Sequence, residues 1–222
     1  MAPIDQGTIN YKYELVRKLI HLSSLSIPIV YYFIPRSAAI IILSVLSAAA
    51  VILDLSRYFY PQVGRVFYSI FGFLLRRHEV DTEKKNLNGA TYVLISALIC
   101  AIVFPKIFFI TGFAILIISD TSAALIGRKF GRHKFLAKSL EGTLAFFVSA
   151  SIVVLFTPKI NNLLTEYLIG IIAAAVGAIV ENISFGYADD NLTIPISICF
   201  TMWALYILML PGISLNLFNV PR

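Results

Sequence analysis

The chain has 222 residues, of which 59% are hydrophobic and only 14% are charged, and its mean hydropathy is +0.85. Soluble domains carry about 45–50% apolar and about 25% charged residues, so this composition excludes a water-soluble globule and indicates a protein that lies in a bilayer. The net charge of +6 is expected to reflect membrane topology and anionic headgroups, with no nucleic acid as partner. Cys100 and Cys199 lie in apolar runs, which indicates neither a disulfide framework nor a zinc site.

Seven apolar segments are long enough, or nearly so, to cross ~30 Å of hydrocarbon at ~1.5 Å per residue. In chain order they cover residues 15–34, 37–55, 90–104, 107–126, 143–157, 165–180 and 192–210. The sequence therefore predicts an all-α, polytopic membrane protein with about seven transmembrane helices. We expect one integral-membrane domain over residues 1–222.

The connection between the second and third segments, residues 57–88, contains apolar residues at helical spacing. These residues are Val63, Val66, Phe67, Ile70, Phe71, Leu74 and Leu75. The pattern predicts an amphipathic helix on the membrane surface. A helix packed on the bundle is the alternative.

The basic residues are divided unevenly between the two sides that seven crossings would create. Fourteen of the eighteen fall on the side of the N-terminus: Lys12, Arg17, Lys18, Arg57, Arg65, Arg76, Arg77, Lys84, Lys85, Arg128, Lys129, Arg132, Lys134 and Lys138. The other four are Arg36, Lys106, Lys159 and Arg222. The positive-inside rule predicts that the N-terminal side is cytoplasmic and that the C-terminus lies on the opposite side.

Carboxylates gather on the same side. Asp120 falls inside the fourth segment, about 10 Å from its cytoplasmic end by helix rise, where a charge should face the bundle interior and have a partner. Glu181 ends the sixth segment and Asp190 precedes the seventh. Three carboxylates near one face predict a Mg²⁺ site, and a structural ion pair of Asp120 with Arg17 or Lys18 is the alternative.

The connection after the fourth segment combines glycines with cations. Its residues of interest are Gly127, Arg128, Lys129, Gly131, Arg132, Lys134, Lys138, Ser139 and Gly142. Glycines allow close approach of the backbone to an anion, cations neutralise phosphate, and the next helix presents its N-terminus. This chemistry suits a triphosphate, although no Walker A motif occurs. An ordinary positive-inside loop is the alternative.

The first segment carries Arg17, Lys18 and His21, and Arg17 and His21 share a helical face. Snorkelling of the two cations at the membrane boundary is one explanation, and a cavity-facing cluster is the other. Glu14 lies four residues before Lys18 and is expected to pair with it. Asn88 precedes the third segment, where it is a candidate ligand or a helix cap.

These motifs, in this order, resemble the CTP-dependent lipid kinases, the superfamily of dolichol kinase, phytol kinase and CTP-dependent diacylglycerol kinase. The resemblance covers roughly residues 14–200. It comprises Arg17-Lys18-x-x-His21, Asn88-Gly89, Ser119-Asp120-Thr121-x-Ala123-Ala124-x-x-Gly127-Arg128-x-x-Gly131, Lys138-Ser139-x-x-Gly142-Thr143, Glu181 and Asp190-Asn191-x-x-Ile194-Pro195. The segments Ile52-Leu53-Asp54-Leu55-Ser56-Arg57 and Leu75-Arg76-Arg77-His78-Glu79 look most like the diacylglycerol kinase branch.

The resemblance implies transfer of the γ-phosphoryl group of CTP to a lipid hydroxyl, with Mg²⁺ or another divalent metal. The expected catalytic residues are Arg17, Lys18, His21 and Asp120. The expected nucleotide-binding residues are Asn88, Gly127, Arg128, Lys129, Gly131, Arg132, Lys138 and Ser139. The expected metal ligands are Asp120, Glu181 and Asp190. Diacylglycerol is the expected acceptor, with the site facing the cytoplasm from a bacterial inner membrane or the endoplasmic reticulum.

Four alternatives stay open at this point. One is a polyprenol or phytol kinase, and another is a phosphatidate cytidylyltransferase, whose later signature this chain lacks. A third is a transporter of an anionic lipid or metabolite, which should place polar groups on both sides of the membrane. The fourth is a non-catalytic scaffold, which needs no buried aspartate. The sequence does not predict the oligomeric state.

Overall fold

The computed structural model describes residues 10–75, 86–184, 189–217 and 220–221, and within these ranges the fold is almost entirely helical. The helices are α1 (Tyr11–Ser23), α2 (Ser26–Phe33), α3 (Arg36–Phe59), α4 (Pro61–Phe71), α5 (Gly89–Val103), α6 (Lys106–Phe130), α7 (Leu140–Phe156), α8 (Leu164–Ile183) and α9 (Asp190–Met209). A 3₁₀ turn, Gly72–Leu74, follows α4. A short antiparallel hairpin, β1 (Lys134–Phe135) and β2 (Lys138–Ser139), connects α6 to α7.

Side-chain caps define several helix starts, because the first backbone N–H groups of a helix lack partners within the helix. The side chain of Asn88 accepts a hydrogen bond from the Thr91 amide at 3.0 Å at the start of α5. Ser139 caps α7 by accepting from the Gly142 amide at 3.3 Å. Asn88 therefore caps α5, and its expected role in nucleotide binding stays a prediction.

Four helices in the described ranges are long and apolar enough to cross a membrane, namely α3, α6, α8 and α9. The apolar helices α5 and α7 are shorter, with 15 and 17 residues. The predicted first crossing, residues 15–34, is wrong as a continuous helix, because α1 ends at Ser23 and α2 begins at Ser26. Pro28 has no N–H for the Ser24 carbonyl, which instead accepts from the Ile27 amide at 2.9 Å.

Helices α3 and α5 run in opposite directions, as do α7 and α8, and contacts at their ends establish this. Asp54 near the end of α3 accepts from the amide of Asn88 at the start of α5, at 2.6 Å. Asn182 near the end of α8 donates to Thr143 near the start of α7, at 2.7 Å. We call this the polar end: α3, α6 and α8 finish there, and α5, α7 and α9 begin there.

Helix α6 forms the centre of the bundle, and nearly all of its first half is buried. Phe109 stacks on Phe113 with ring centroids 4.4 Å apart and meets Tyr31 of α2 edge-on at 4.7 Å. A Cβ atom at Gly112 would lie 2.8 Å from the Cys199 sulfur of α9, so glycine permits the close approach of α6 and α9 there. This packing fixes the side chains that α6 presents at the polar end.

The predicted amphipathic helix exists as α4, which packs against α3 while Val66 and Ile70 remain exposed. Its place on a membrane surface stays a prediction. Arg76, Arg77, Lys84, Lys85 and Arg222, which contribute to the charge asymmetry, lie outside the described residues, as do His78 and Glu79 of the diacylglycerol kinase-like segment.

Candidate active site at the polar end

The central feature of the polar end is a buried contact between α1 and α6. The Lys18 ammonium contacts the Asp120 carboxylate and lies 3.3 Å from the Asp120 carbonyl oxygen. His21, three residues later on the same face of α1, places Nε2 3.6 Å from the same carboxylate oxygen. Lys18 and Asp120 are only 2% and 3% exposed. Of the two partners that the sequence offered for Asp120, Lys18 is the one in contact.

A second carboxylate links α1 to the end of α6. Glu14 contacts Arg17 at 2.6 Å through one oxygen and Arg128 at 3.2 Å through the other. The expected pairing of Glu14 with Lys18 is thus replaced by a bridge between two arginines, because Lys18 points to Asp120. Glu14 is buried, and it was not among the site residues expected from the sequence. The sequence did contain an indication of its role, because Glu14 lies one helical turn before Arg17 and Lys18, two predicted catalytic cations.

A third ion pair joins the hairpin to α8. The Lys138 ammonium contacts the Glu181 carboxylate. Burial alone would lower the pKa of Lys138, but the carboxylates of Glu181 and Asp190 outweigh it and raise that pKa above its ordinary value. Lys138 is therefore a cation throughout the physiological pH range.

Asp190 adds a further buried carboxylate beside the Lys138–Glu181 pair. It begins α9, is 7% exposed, and contributes with Glu181 to the raised pKa of Lys138. Its neighbour Asp189 caps α9 by accepting from the Asn191 amide at 2.9 Å. The polar end thus brings together residues from α1, α6, α8, α9 and the hairpin.

The glycine-containing connection is closely packed against the start of α7. A Cβ atom at Gly131 would lie 2.3 Å from the Gly127 carbonyl oxygen and 2.7 Å from the Ser139 side chain. A Cβ atom at Gly142 would lie 3.3 Å from the Cα atom of Gly127. These glycines have a demonstrable packing role, and Ser139 caps α7 beside them.

The cations of this connection divide into two groups. Arg128 and Lys138 are largely buried in the ion pairs described above. Lys129 and Arg132 are exposed on the surface of the connection. The structure therefore brings only part of the predicted phosphate-binding set to the buried cluster.

A separate buried ion pair lies where α3, α4 and α5 meet at the polar end. Arg57 contacts Asp54 at 2.9 Å between Nε and Oδ1, and it donates to the Asn86 carbonyl at 2.9 Å. Asp54 also accepts from the Asn88 amide, so this pair holds the chain that enters α5. Asp54 and Arg57 were not among the expected site residues, although an Asp and an Arg three positions apart in an apolar helix indicate a buried ion pair.

Within the described ranges, no three His, Cys, Asp or Glu side chains converge closely enough to hold a metal ion. Asp120 and Glu181 each contact a lysine instead. The chemistry of the carboxylates still suits Mg²⁺, which prefers oxygen ligands.

The fold and the site define an integral membrane protein with a buried cluster of carboxylates and cations at one end of an apolar helical bundle. The chain is 33% identical to the uncharacterized protein RP860 of Rickettsia prowazekii over 197 residues, which cover 86% of this chain and 94% of that protein. It belongs to the same family as that protein.

Some of the similar proteins carry a named activity. The CTP-dependent diacylglycerol kinase 1 of Schizosaccharomyces pombe is 29% identical over 156 residues, 64% of this chain and 70% of that protein. The corresponding protein of Saccharomyces cerevisiae is 26% identical over 215 residues, 86% and 72% of the two chains. These similarities point to the CTP-dependent lipid kinase family. No family model matches the chain, and no solved structure does.

Proposed function

We propose that the protein transfers the γ-phosphoryl group of CTP to the hydroxyl of a membrane lipid alcohol, with diacylglycerol converted to phosphatidate as the first candidate. The observation that carries this proposal is the buried Lys18–Asp120 contact with His21 beside it. A charge buried inside a membrane protein is expensive and points to function. Similarity to CTP-dependent diacylglycerol kinases supports the donor and the acceptor.

In the proposed reaction, the lipid hydroxyl oxygen forms a bond to the γ-phosphorus while the bond from that phosphorus to the β–γ bridging oxygen breaks and CDP leaves. Such transfers depend on positioning and on neutralisation of charge. Lys18 and Arg17 would stabilise the charge on the transferred group. The hydroxyl proton would pass to His21 or to a carboxylate of the cluster.

Arg128 and Lys138 are the best-placed cations for the nucleotide phosphates, because both lie in the buried cluster. Lys129 and Arg132, together with Asn88, Gly127, Gly131 and Ser139, complete the proposed nucleotide-binding set. The backbone N–H groups at the start of α7 would add to the attraction for an anion.

A divalent cation would be held by Asp120 with Glu181 or Asp190, where it would neutralise charge on the phosphate oxygens. The two lysines that now contact Asp120 and Glu181 would then be available to phosphate oxygens. Exchange of partners within one cluster keeps every buried charge compensated.

We further propose that α1–α2 and the shorter helices α5 and α7 also cross the membrane, giving seven crossings with the polar end on the cytoplasmic side. The lipid's hydrocarbon chains would enter between helices.

The test is a panel of lipid alcohols (diacylglycerol, phytol and a polyprenol) offered to the purified protein with either CTP or ATP. The proposal expects phosphorylated lipid with CTP, and the most efficient acceptor identifies the substrate class. Absence of lipid phosphorylation with every alcohol and both nucleotides, by protein of confirmed fold, would reject the kinase.

A further inference from the structure

The hairpin between α6 and α7 has an unusual residue at its tip. Phe135 pairs with Lys138, so the loop consists of Leu136 and Ala137. Leu136 has φ +51°, a conformation that hairpin loops of two residues usually give to Gly, Asn or Asp. A leucine at this position is unfavourable for the backbone, and strained residues of this kind are found where function requires them.

The apolar side chain of Leu136 is also exposed, as are the side chains of two nearby phenylalanines. Leu136 is 53% exposed, Phe130 is 54% exposed and Phe135 is 37% exposed. Exposed cations, including Lys134, alternate with these apolar side chains. A leucine or phenylalanine on a small exposed hairpin gains nothing from contact with water, whereas apolar side chains flanked by lysine and arginine suit the boundary between headgroups and hydrocarbon.

The hairpin is held in place by contacts with the end of α8. The side-chain oxygen of Asn182 accepts hydrogen bonds from the amides of Ala137 and Lys138 at 2.8 and 3.1 Å. The Lys138–Glu181 contact anchors the second strand to α8 as well. The tip is thus a fixed projection, and it follows directly from Phe130, the last residue of a helix long enough to cross a membrane.

We propose that this hairpin is an interfacial anchor: Phe130, Phe135 and Leu136 insert at the level of the lipid headgroups, and Lys134 binds anionic phospholipid. The anchor holds the start of α7, and with it Ser139 and Lys138, at a fixed depth beside the membrane surface. This inference goes beyond the proposed catalytic function and does not depend on it.

The test places a fluorescent probe on the hairpin. Cys100 and Cys199 are both fully buried, so Leu136→Cys provides one reactive thiol, and the unsubstituted protein serves as the control for labelling. His133→Cys is the matched control, because His133 lies on the same connection with its side chain 76% exposed. Both proteins are reconstituted in vesicles of phosphatidylcholine with or without phosphatidylglycerol.

The proposal expects the probe at position 136 to be quenched by lipids with brominated acyl chains and to be several-fold less accessible to aqueous iodide than the probe at position 133. The iodide accessibility of the probe at position 136 should differ between anionic and neutral vesicles, and adding Lys134→Gln should reduce that difference. Equal iodide access at both positions, or protection of position 136 by CTP instead of lipid, would overturn the anchor.

A second variant, Leu136→Gly, separates anchoring from folding. Glycine adopts the positive φ without strain, so the unfolding temperature in detergent should be unchanged or higher. A probe attached at Phe135→Cys should nevertheless be several-fold more accessible to iodide in the Leu136→Gly variant than in the protein that keeps Leu136, when both are in anionic vesicles. A lower unfolding temperature in detergent with unchanged iodide access would mean that Leu136 serves the fold, and would reject the proposal.

Discussion

Two buried carboxylates, Asp120 at the polar end and Glu166 at the other end of the bundle, differ in the kind of partner that each has. Glu166 is 0% exposed and accepts hydrogen bonds from the backbone amides of Ile160, Asn161 and Leu163 at 2.7–3.1 Å, and from the Tyr206 hydroxyl at 2.9 Å. Asp120 contacts the Lys18 side chain from a different helix, with His21 nearby.

The difference distinguishes a charge held by backbone amides from a charge held by side chains. Backbone amides in the turn before α8 cannot leave Glu166 without breaking that turn, so its negative charge is fully engaged by the fold. The partners of Asp120 are side chains of α1, which can move toward a phosphate or a metal while the backbone stays in place. Both carboxylates are buried, so burial alone does not distinguish them; the type of partner does.

The largest expected effect is on activity at Asp120. The Asp120→Asn substitution keeps the size and one acceptor oxygen but removes the charge, so turnover should fall by about 100- to 1000-fold while the protein still folds. The measurement is lipid phosphorylation per folded molecule, with the fold checked by circular dichroism and size-exclusion chromatography. Wild-type turnover would remove Asp120 from the mechanism.

The opposite outcome is expected for Glu166→Gln, the matched change at the other end. An amide cannot accept from all four donors as the carboxylate does, so the free energy of unfolding should fall by about 2–3 kcal/mol. Turnover per folded molecule should remain near wild type. Thermal unfolding in detergent measures the first quantity, and a selective loss of turnover without loss of stability would invalidate the distinction drawn here.

A smaller effect is expected at Gly131, where the polar end is packed most closely. A methyl group would clash with the Gly127 carbonyl oxygen at 2.3 Å, so Gly131→Ala should lower stability by about 1–3 kcal/mol. Gly72→Ala is the control, because its added Cβ atom would meet only the Tyr68 Cβ atom at 3.8 Å. Equal unfolding temperatures for the two variants would contradict the described packing.

The smallest expected effect is on the KM for CTP, which should respond to loss of a buried cation but not to loss of an exposed one. Arg128→Gln should raise the KM for CTP about tenfold, which corresponds to about 1.4 kcal/mol, because Arg128 lies in the cluster. Lys134→Gln should leave this KM unchanged, because Lys134 is exposed and outside the cluster. Steady-state kinetics at saturating lipid measure both values, and a larger change for Lys134 would move the nucleotide site to the outer surface of the hairpin.

The helices themselves were well predicted, because apolar runs end at residues with clear structural preferences. Six of the seven predicted segments match helices to within four residues at each end. The first failed because Pro28 interrupts hydrogen bonding inside an otherwise uniform apolar run. The prediction that all seven segments cross the membrane extends beyond the four helices whose length and composition qualify.

The sequence predicted most of the residues that lie at the site, but it did not predict which of them contact each other. The spacing predicted a shared helical face for Arg17 and His21, yet the rotation of α1 against α6 brings Lys18, and not Arg17, to Asp120 beside His21. The bridge from Glu14 to Arg128 joins residues 114 positions apart in the chain, and no local pattern encodes it. The same holds for Lys138 and Glu181, whose contact depends on how the hairpin docks on α8.

The most direct test of the proposed reaction follows two forms of labelled CTP into diacylglycerol-containing vesicles. With label at the γ-phosphorus, the account predicts labelled phosphatidate from the wild-type protein and almost none from the Asp120→Asn variant. With label at the α-phosphorus, the lipid should stay unlabelled. Transfer of the α label to lipid would identify a cytidylyltransferase and contradict the account.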